Sequence, residues 1–175
     1  MASDHSLSIN PQKSHLIRFC RLHSGSPLTV RLLGVDLEEE DSIKYLGFQL
    51  DRSLTFRQHI IGAMSKSLRR LSAVRRLAPS RFGSSPSVLR TLVNGCVLNP
   101  LLYGSAIWGS VVLGKSSYLT LLERVYRLSA QLILGLFRTT STISSTSLCS
   151  LLPPHLAVLR RLLLLRSEEH TSELQ

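Results

Sequence analysis

Residues 52–122 contain no aspartate and no glutamate, yet ten lysines and arginines fall there: Arg52, Arg57, Lys66, Arg69, Arg70, Arg75, Arg76, Arg81, Arg90 and Lys115. The rest of the chain carries eleven residues of each sign, so the formal net charge of +10 belongs to this one stretch. A field so concentrated favours a polyanion, with nucleic acid first and an anionic membrane surface second. A merely solvated face is the usual reading of a charge run, and the missing acids count against it here.

Other absences exclude chemistry. Cys20, Cys96 and Cys149 are far apart and odd in number. They fit neither a disulfide framework nor a zinc spacing, and they point to a reducing, intracellular setting. No apolar run follows Met1-Ala2-Ser3-Asp4-His5, so no secretory signal is expected. Gly34 and Gly47 are isolated, and Gly104, Gly109 and Gly114 sit in a hydrophobic stretch without the strand-to-helix context of a phosphate-cradling loop. There is no nucleophile elbow for a serine hydrolase. The histidines are scattered, and His59 and His155 read as surface or capping residues. Residues 91–114 lack charge over a membrane-spanning length, but Asn94, Asn99 and Pro100 interrupt them, so a buried helix pair is expected instead. Glu38-Glu39-Glu40-Asp41 reads as a solvated loop, because neighbouring carboxylates on an extended chain point to alternate sides and cannot share a metal.

What is present divides by period. Asn10-Pro11 is turn chemistry. His15-Leu16-Ile17-Arg18-Phe19 and Leu28-Thr29-Val30-Arg31-Leu32 read as strands around a Ser24-Gly25-Ser26-Pro27 turn. Residues 43–51 alternate as one further strand, with Leu46, Phe48 and Leu50 on one face and Tyr45, Gly47 and Gln49 on the other. From about Leu54 the period becomes helical. Ile61, Met64, Leu68 and Leu71 form a stripe that Phe56, Ile60, Val74 and Leu77 widen, with Lys66, Arg69, Arg70 and Arg76 mainly elsewhere on the cylinder. Residues 78–84 end that helix. Ser85 caps a second with Pro86 at its first position, running to about Leu98 and bent at Pro100. A third begins after Ser116 or Ser117, with Tyr118, Leu122, Val125, Leu132 and Leu136 inward. Residues 139–150 read as a solvated Ser/Thr tract, and Pro153-Pro154 lead into a last apolar helix over residues 155–165. The fold class expected is α+β, a small antiparallel sheet followed by a mainly helical bundle, in a chain long enough for one core or for part of a larger domain.

The motifs come in an order that resembles reverse transcriptases of non-LTR retrotransposons of the jockey-like kind, over residues 7–165. Leu7-Ser8-Ile9-Asn10-Pro11-Gln12-Lys13-Ser14 resembles the motif after the catalytic aspartates, in which a lysine, here Lys13, assists the leaving pyrophosphate. Lys44-Tyr45-Leu46-Gly47 with Leu50-Asp51, Leu54-Thr55-Phe56 and His59-Ile60 resembles the primer-grip hairpin and the start of the thumb. Asn99-Pro100-Leu101-Leu102-Tyr103-Gly104 with Trp108 resembles a thumb segment, and residues 121–140 the stretch after it. The last ten residues, 166–175, resemble translated sequencing adapter and are set aside, with the expectation that the gene was cut short there.

The resemblance implies an organisation: residues 1–52 as the end of the palm with the primer grip, 53–138 as a helical thumb, and 139–165 as a Ser/Thr-rich linker with a post-thumb helix. It implies an RNA/DNA primer–template duplex as partner, together with upstream palm and fingers, and no membrane. Tyr45, Leu46 and Gly47 would meet the nucleic acid with Arg57, Lys66, Arg69, Arg70 and Arg76, the cations acting on phosphates without reading bases. In the family the two catalytic magnesium ions are held by a strand-borne aspartate and an Ala-Asp-Asp turn, both before the lysine motif. Asp4 stands too near Lys13 and in no such turn, while Asp36 and Asp51 fall outside these motifs. Neither cofactor nor polymerase activity is therefore expected of this chain alone. The alternative is a non-enzymatic basic helical module that binds nucleic acid.

Overall fold

A computed structural model describes residues 9–19, 27–77 and 84–173. Residues 7–8 of the lysine motif, 24–26 of the first expected turn and 78–83 of the helix break lie outside the described residues. The chain divides into two compact units, residues 1–59 and 60–175, and the α+β order expected is the order observed.

The first unit opens with a 3-10 turn, Pro11–Lys13, that the Asn10 side chain caps by accepting from the Gln12 N–H at 3.0 Å. Four short strands follow: β1 (Thr29–Leu32), β2 (Val35–Glu38), β3 (Ser42–Tyr45) and β4 (Phe48–Asp51). They form two separate antiparallel hairpins, β1–β2 and β3–β4. Leu32 closes on Val35 and Tyr45 on Phe48, leaving two-residue turns of Leu33-Gly34 (φ 48° and 85°) and Leu46-Gly47 (φ 46° and 88°). Positive φ at both central residues is the type I′ turn, whose twist matches that of the paired strands. The single strand expected over residues 43–51 is thus corrected to a hairpin. Gly47 is the turn itself, since only glycine enters that region without a Cβ penalty.

Two further expectations change here. The strand at residues 15–19 reduces to one parallel bridge from Leu16 to Glu39, with the Glu40 N–H donating to the Leu16 carbonyl at 2.9 Å. The acidic loop is not wholly solvated, because the Glu39 side chain is fully enclosed. Its carboxylate accepts from Arg18 Nε at 3.1 Å, the Leu28 N–H at 3.0 Å and Arg52 Nη2 at 2.6 Å. A buried carboxylate persists when it is paired and hydrogen-bonded, and here both conditions hold.

Helix α1 (Arg57–Arg76) starts in the first unit and runs on into the second. It starts three residues later than the sequence period indicates, because Leu54 and Phe56 take positive φ (50° and 54°) before the first turn. Its buried positions within the second unit are Ile60, Ser67, Leu71 and Val74, so the core stripe is turned relative to the expected one; Ile61 and Leu77 are exposed. Ser67 is the reason. A residue this small lets the backbone of residue 97 approach, and its hydroxyl donates to the Val97 carbonyl at 3.4 Å.

The uncharged segment 91–114 is mostly helical and buries one part of its surface, while Tyr103 and Ile107 are exposed. Helix α2 (Pro86–Val93), capped by Ser85, widens into a π-helical turn at Asn94–Leu98, in which the Asn99 N–H reaches the Asn94 carbonyl. The short α3 (Asn99–Leu101) follows, then a bend at Gly104 (φ 61°), then α4 (Ser105–Leu113). Among the described residues no single helix is long and apolar enough to cross a membrane, and α2–α3 and α4 meet at 79°. Trp108 and Val112 of α4 are almost fully enclosed, as are Val93, Val97, Leu122, Val125 and Val158. Each enclosed aliphatic side chain contributes about 1.5–3 kcal/mol.

Helix α5 (Ser116–Leu134) buries Tyr118, Leu122 and Val125 as expected, whereas Leu132 and Leu136 are only half-buried. The Ser/Thr tract is corrected to a helix, α6 (Thr142–Leu148), with Ser145 and Thr146 enclosed. Its hydroxyls are satisfied locally: Thr146 Oγ1 donates to the Thr142 carbonyl at 2.9 Å and Ser145 Oγ to that of Ser141 at 2.5 Å. Helix α7 (Pro154–Glu173) packs along α4. Arg161 ties it to the α3 bend, donating to the Leu102 carbonyl at 2.7 Å and to Asn99 Oδ1 at 3.0 Å.

Candidate nucleic-acid interface

In the first unit the β3–β4 turn presents Tyr45 and Leu46 outward, 59% and 71% exposed, with Gly47 open beside them. The strand partner of Tyr45 is treated differently. Phe48 is buried and its ring sits 5.3 Å from that of His59. One residue of the closing pair therefore anchors the hairpin and the other faces solvent. Lys44, one position before Tyr45 on β3, is also exposed and in no ion pair among the described residues. Sequence reading left it out, although it stands in the same Lys-Tyr-Leu-Gly run.

Behind the hairpin, Asp51 organises the entry to α1. Its Oδ2 accepts from the Thr55 N–H and hydroxyl, both at 2.9 Å, and its Oδ1 from the Phe56 N–H at 2.8 Å. Burial opposes its charge, but the donors of Thr55 and Phe56 outweigh that and hold the carboxyl below the usual range. Glu39 is also lowered, first by the hydrogen bond from the Leu28 N–H and then by the charges of Arg18 and Arg52.

The cations differ in availability. Arg52 is spent internally, bonded to Glu39 and, through Nη1, to Asp41 at 3.2 Å. Arg31 pairs with Asp36. By contrast Arg57, Lys66, Arg69, Arg70, Arg75 and Arg76 of α1 are all exposed, and none forms an ion pair among the described residues. On a 3.6-residue repeat Arg69 and Arg76 lie opposite the buried stripe, Lys66 and Arg70 lie to one flank, and Arg57 and Arg75 to the other. The basic surface is a broad arc rather than a narrow stripe. Lys13 is exposed on the 3-10 turn, next to none of these groups in sequence.

The charge also separates between units. Residues 1–59 hold seven lysines and arginines against seven acids, while residues 60–175 hold fourteen against four. Like charges on one helix repel one another, and a bound polyanion relieves that repulsion. Among the described residues no three His, Cys, Asp or Glu side chains gather to hold a metal ion. The two carboxylates held most firmly, Glu39 and Asp51, are occupied by internal donors, so these residues do not fit a two-magnesium site.

No protein-family model matches the chain, and no solved structure does. It is similar to the probable RNA-directed DNA polymerase from transposon BS of Drosophila melanogaster, 35% identical over 115 residues, which is 64% of this chain and 12% of that protein. It is also 29% identical over 129 residues to the probable RNA-directed DNA polymerase from transposon X-element of the same fly, covering 74% of this chain and 14% of the relative. The retrovirus-related Pol polyprotein from type-1 retrotransposable element R1 4 of Nasonia vitripennis is 29% identical over 89 residues, 51% of this chain and 23% of its own length. The chain thus spans less than a quarter of each of these relatives.

Proposed function

We propose that this chain, whose homologues are the RNA-directed DNA polymerases of non-LTR retrotransposons, is the part of such a polymerase that holds primer and template. The β3–β4 hairpin is its primer grip, with Tyr45, Leu46 and Gly47 against the primer backbone, and the helices from α1 onward form its thumb. One observation carries this reading: an acid-free run places six exposed cations on one helix, with no ion pair among the described residues to neutralise them. Such a surface contacts phosphates whatever the base sequence, and holding a duplex during synthesis requires that indifference.

Lys13 is assigned to the pyrophosphate-leaving step of the whole polymerase on the resemblance of its motif. Polymerisation is assigned to the whole polymerase, since the resemblance places the metal-holding aspartates ahead of the Lys13 motif. The test is a band-shift assay with a primer–template duplex and the full chain. Replacing Lys66, Arg69, Arg70 and Arg76 together by glutamate is expected to weaken binding at least about tenfold at fixed moderate salt. Unchanged binding by a folded quadruple variant would overturn the reading.

A further inference from the structure

A cleft of about 730 Å³ lies within the second unit, between the C-terminal half of α1, Leu89 of α2, and the end of α5 with the turn after it. Its lining is mixed, with Leu68 and Leu71 from α1 and Leu128, Leu132 and Leu136 from the end of α5 and the turn after it set among the polar Ser72, Ser84 and Gln131. Among the described residues, the charged ones lining it are Arg75 and Arg138, and no carboxylate does.

The rim is held in place by specific bonds. Gly135, at φ 64°, ends α5 in the left-handed conformation, and the Leu136 N–H donates to the Gln131 carbonyl at 3.1 Å. The Gln131 side-chain amide then donates to the carbonyls of Phe137 and Arg138 at 3.4 and 3.3 Å. This tethered turn leaves Phe137 85% exposed, between two residues that line the cleft. A large aromatic ring held in water by an ordered turn is the kind of side chain on which partner binding concentrates.

We propose that this cleft docks an acidic amphipathic helix of a partner protein, its apolar face on the leucines and Phe137, its carboxylates over Arg75 and Arg138. The floor decides between classes of ligand. Unpaired bases bind by stacking on aromatic faces, and among the described residues none lines the cleft, Phe137 standing between two lining residues. A leucine-bearing groove suits the side chains that a helix presents at i, i+3, i+4 and i+7. The two arginines complement carboxylates beside that face. The cleft shares Arg75 with the basic face of α1, whereas Phe137 and Arg138 lie outside α1, so substitutions at those two separate this inference from duplex holding.

Fluorescence anisotropy of the full chain with labelled synthetic helices tests it. One probe is a four-turn helix with leucines on one face and glutamates flanking them, the second carries lysine in place of glutamate, and the third is a single-stranded oligonucleotide. The glutamate helix is expected to bind at least about tenfold more tightly than the lysine helix. The pair Arg75→Glu and Arg138→Glu should invert that preference, and Phe137→Ala, at a position too exposed to matter for folding, should weaken binding severalfold. Equal binding of the two helices, no effect of Phe137→Ala, or an oligonucleotide that displaces the glutamate helix would overturn the proposal.

Discussion

At the scale of single residues, two carboxylates decide how the first unit responds to acid. Glu39 and Asp51 both have lowered pKa values, through the Leu28 N–H and two arginines in one case, and through Thr55 and Phe56 against the pull of burial in the other. A carboxylate depressed on folding contributes stability that is fully present above its unfolded value, about 4, and is lost as pH falls through the lower folded value. The hairpin amides should therefore lose protection below about pH 4, and Glu39→Gln should reduce that acid sensitivity, with Asp51 carrying the remainder. Amide exchange followed by NMR checks this; hairpin protection that persists unchanged to about pH 2 would count against it. Glu39 was not legible in the sequence. Four consecutive acids read as solvent-facing, and its partners lie far off in the chain at Arg18, Leu28 and Arg52.

Glycines give a second test at this scale. A Cβ at Gly109 would stand 2.7 Å from Val158 Cγ1 and 3.3 Å from Leu162 Cδ1, where α4 meets α7. Val158 is fully buried and β-branched, so it has little room to move. Gly109→Ala should destabilise by about 1–3 kcal/mol despite alanine's better helix propensity. Gly62, in α1, would meet nothing within 4 Å. Gly62→Ala should stabilise by about 0.5–1 kcal/mol, and urea unfolding of both variants should show the opposite signs.

At the scale of elements, the hairpins show why pattern reading reached the strands but not their turns. Residues 43–51 alternate well enough for one strand, and the usual Asn-Gly signal of a type I′ turn is absent. Leucine stands in that place at both Leu33 and Leu46, in the left-handed region and largely exposed. The left-handed conformation costs a leucine about 1–2 kcal/mol. Such strain at an exposed hairpin tip accords with a contact site. Leu46→Asn should therefore raise hairpin stability by about 1 kcal/mol while lowering duplex affinity. Thermal unfolding and duplex titration of one variant check both parts; a stabilised hairpin with unchanged affinity would remove Leu46 from the interface. The helices were more legible, since Ser85-Pro86 and the apolar period of α5 are local signals. Helix α6 was hidden because its serines and threonines read as loop, whereas their hydroxyls bond back to carbonyls of the preceding turn.

At the scale of the whole molecule, the feature most plainly written in the sequence is the charge. The acid-free run falls on α1 and the helices after it, and the excess of cations follows the second unit while the first is balanced. What composition could not tell was which cations are free. Arg52 counts toward the run, yet it is bound to Glu39 and Asp41. Nor could it show the cleft, which joins leucines more than sixty positions apart in sequence, such as Leu68 and Leu132.

The most direct measurement is the salt dependence of primer–template duplex binding by the full chain, alongside the Lys66, Arg69, Arg70 and Arg76 to glutamate variant. Four phosphate contacts correspond to a slope of log K against log salt of about −3 or steeper for the unmodified chain. The variant should bind weakly with a slope much closer to zero. A shallow slope in the unmodified chain, or equal slopes in the two, would contradict the account.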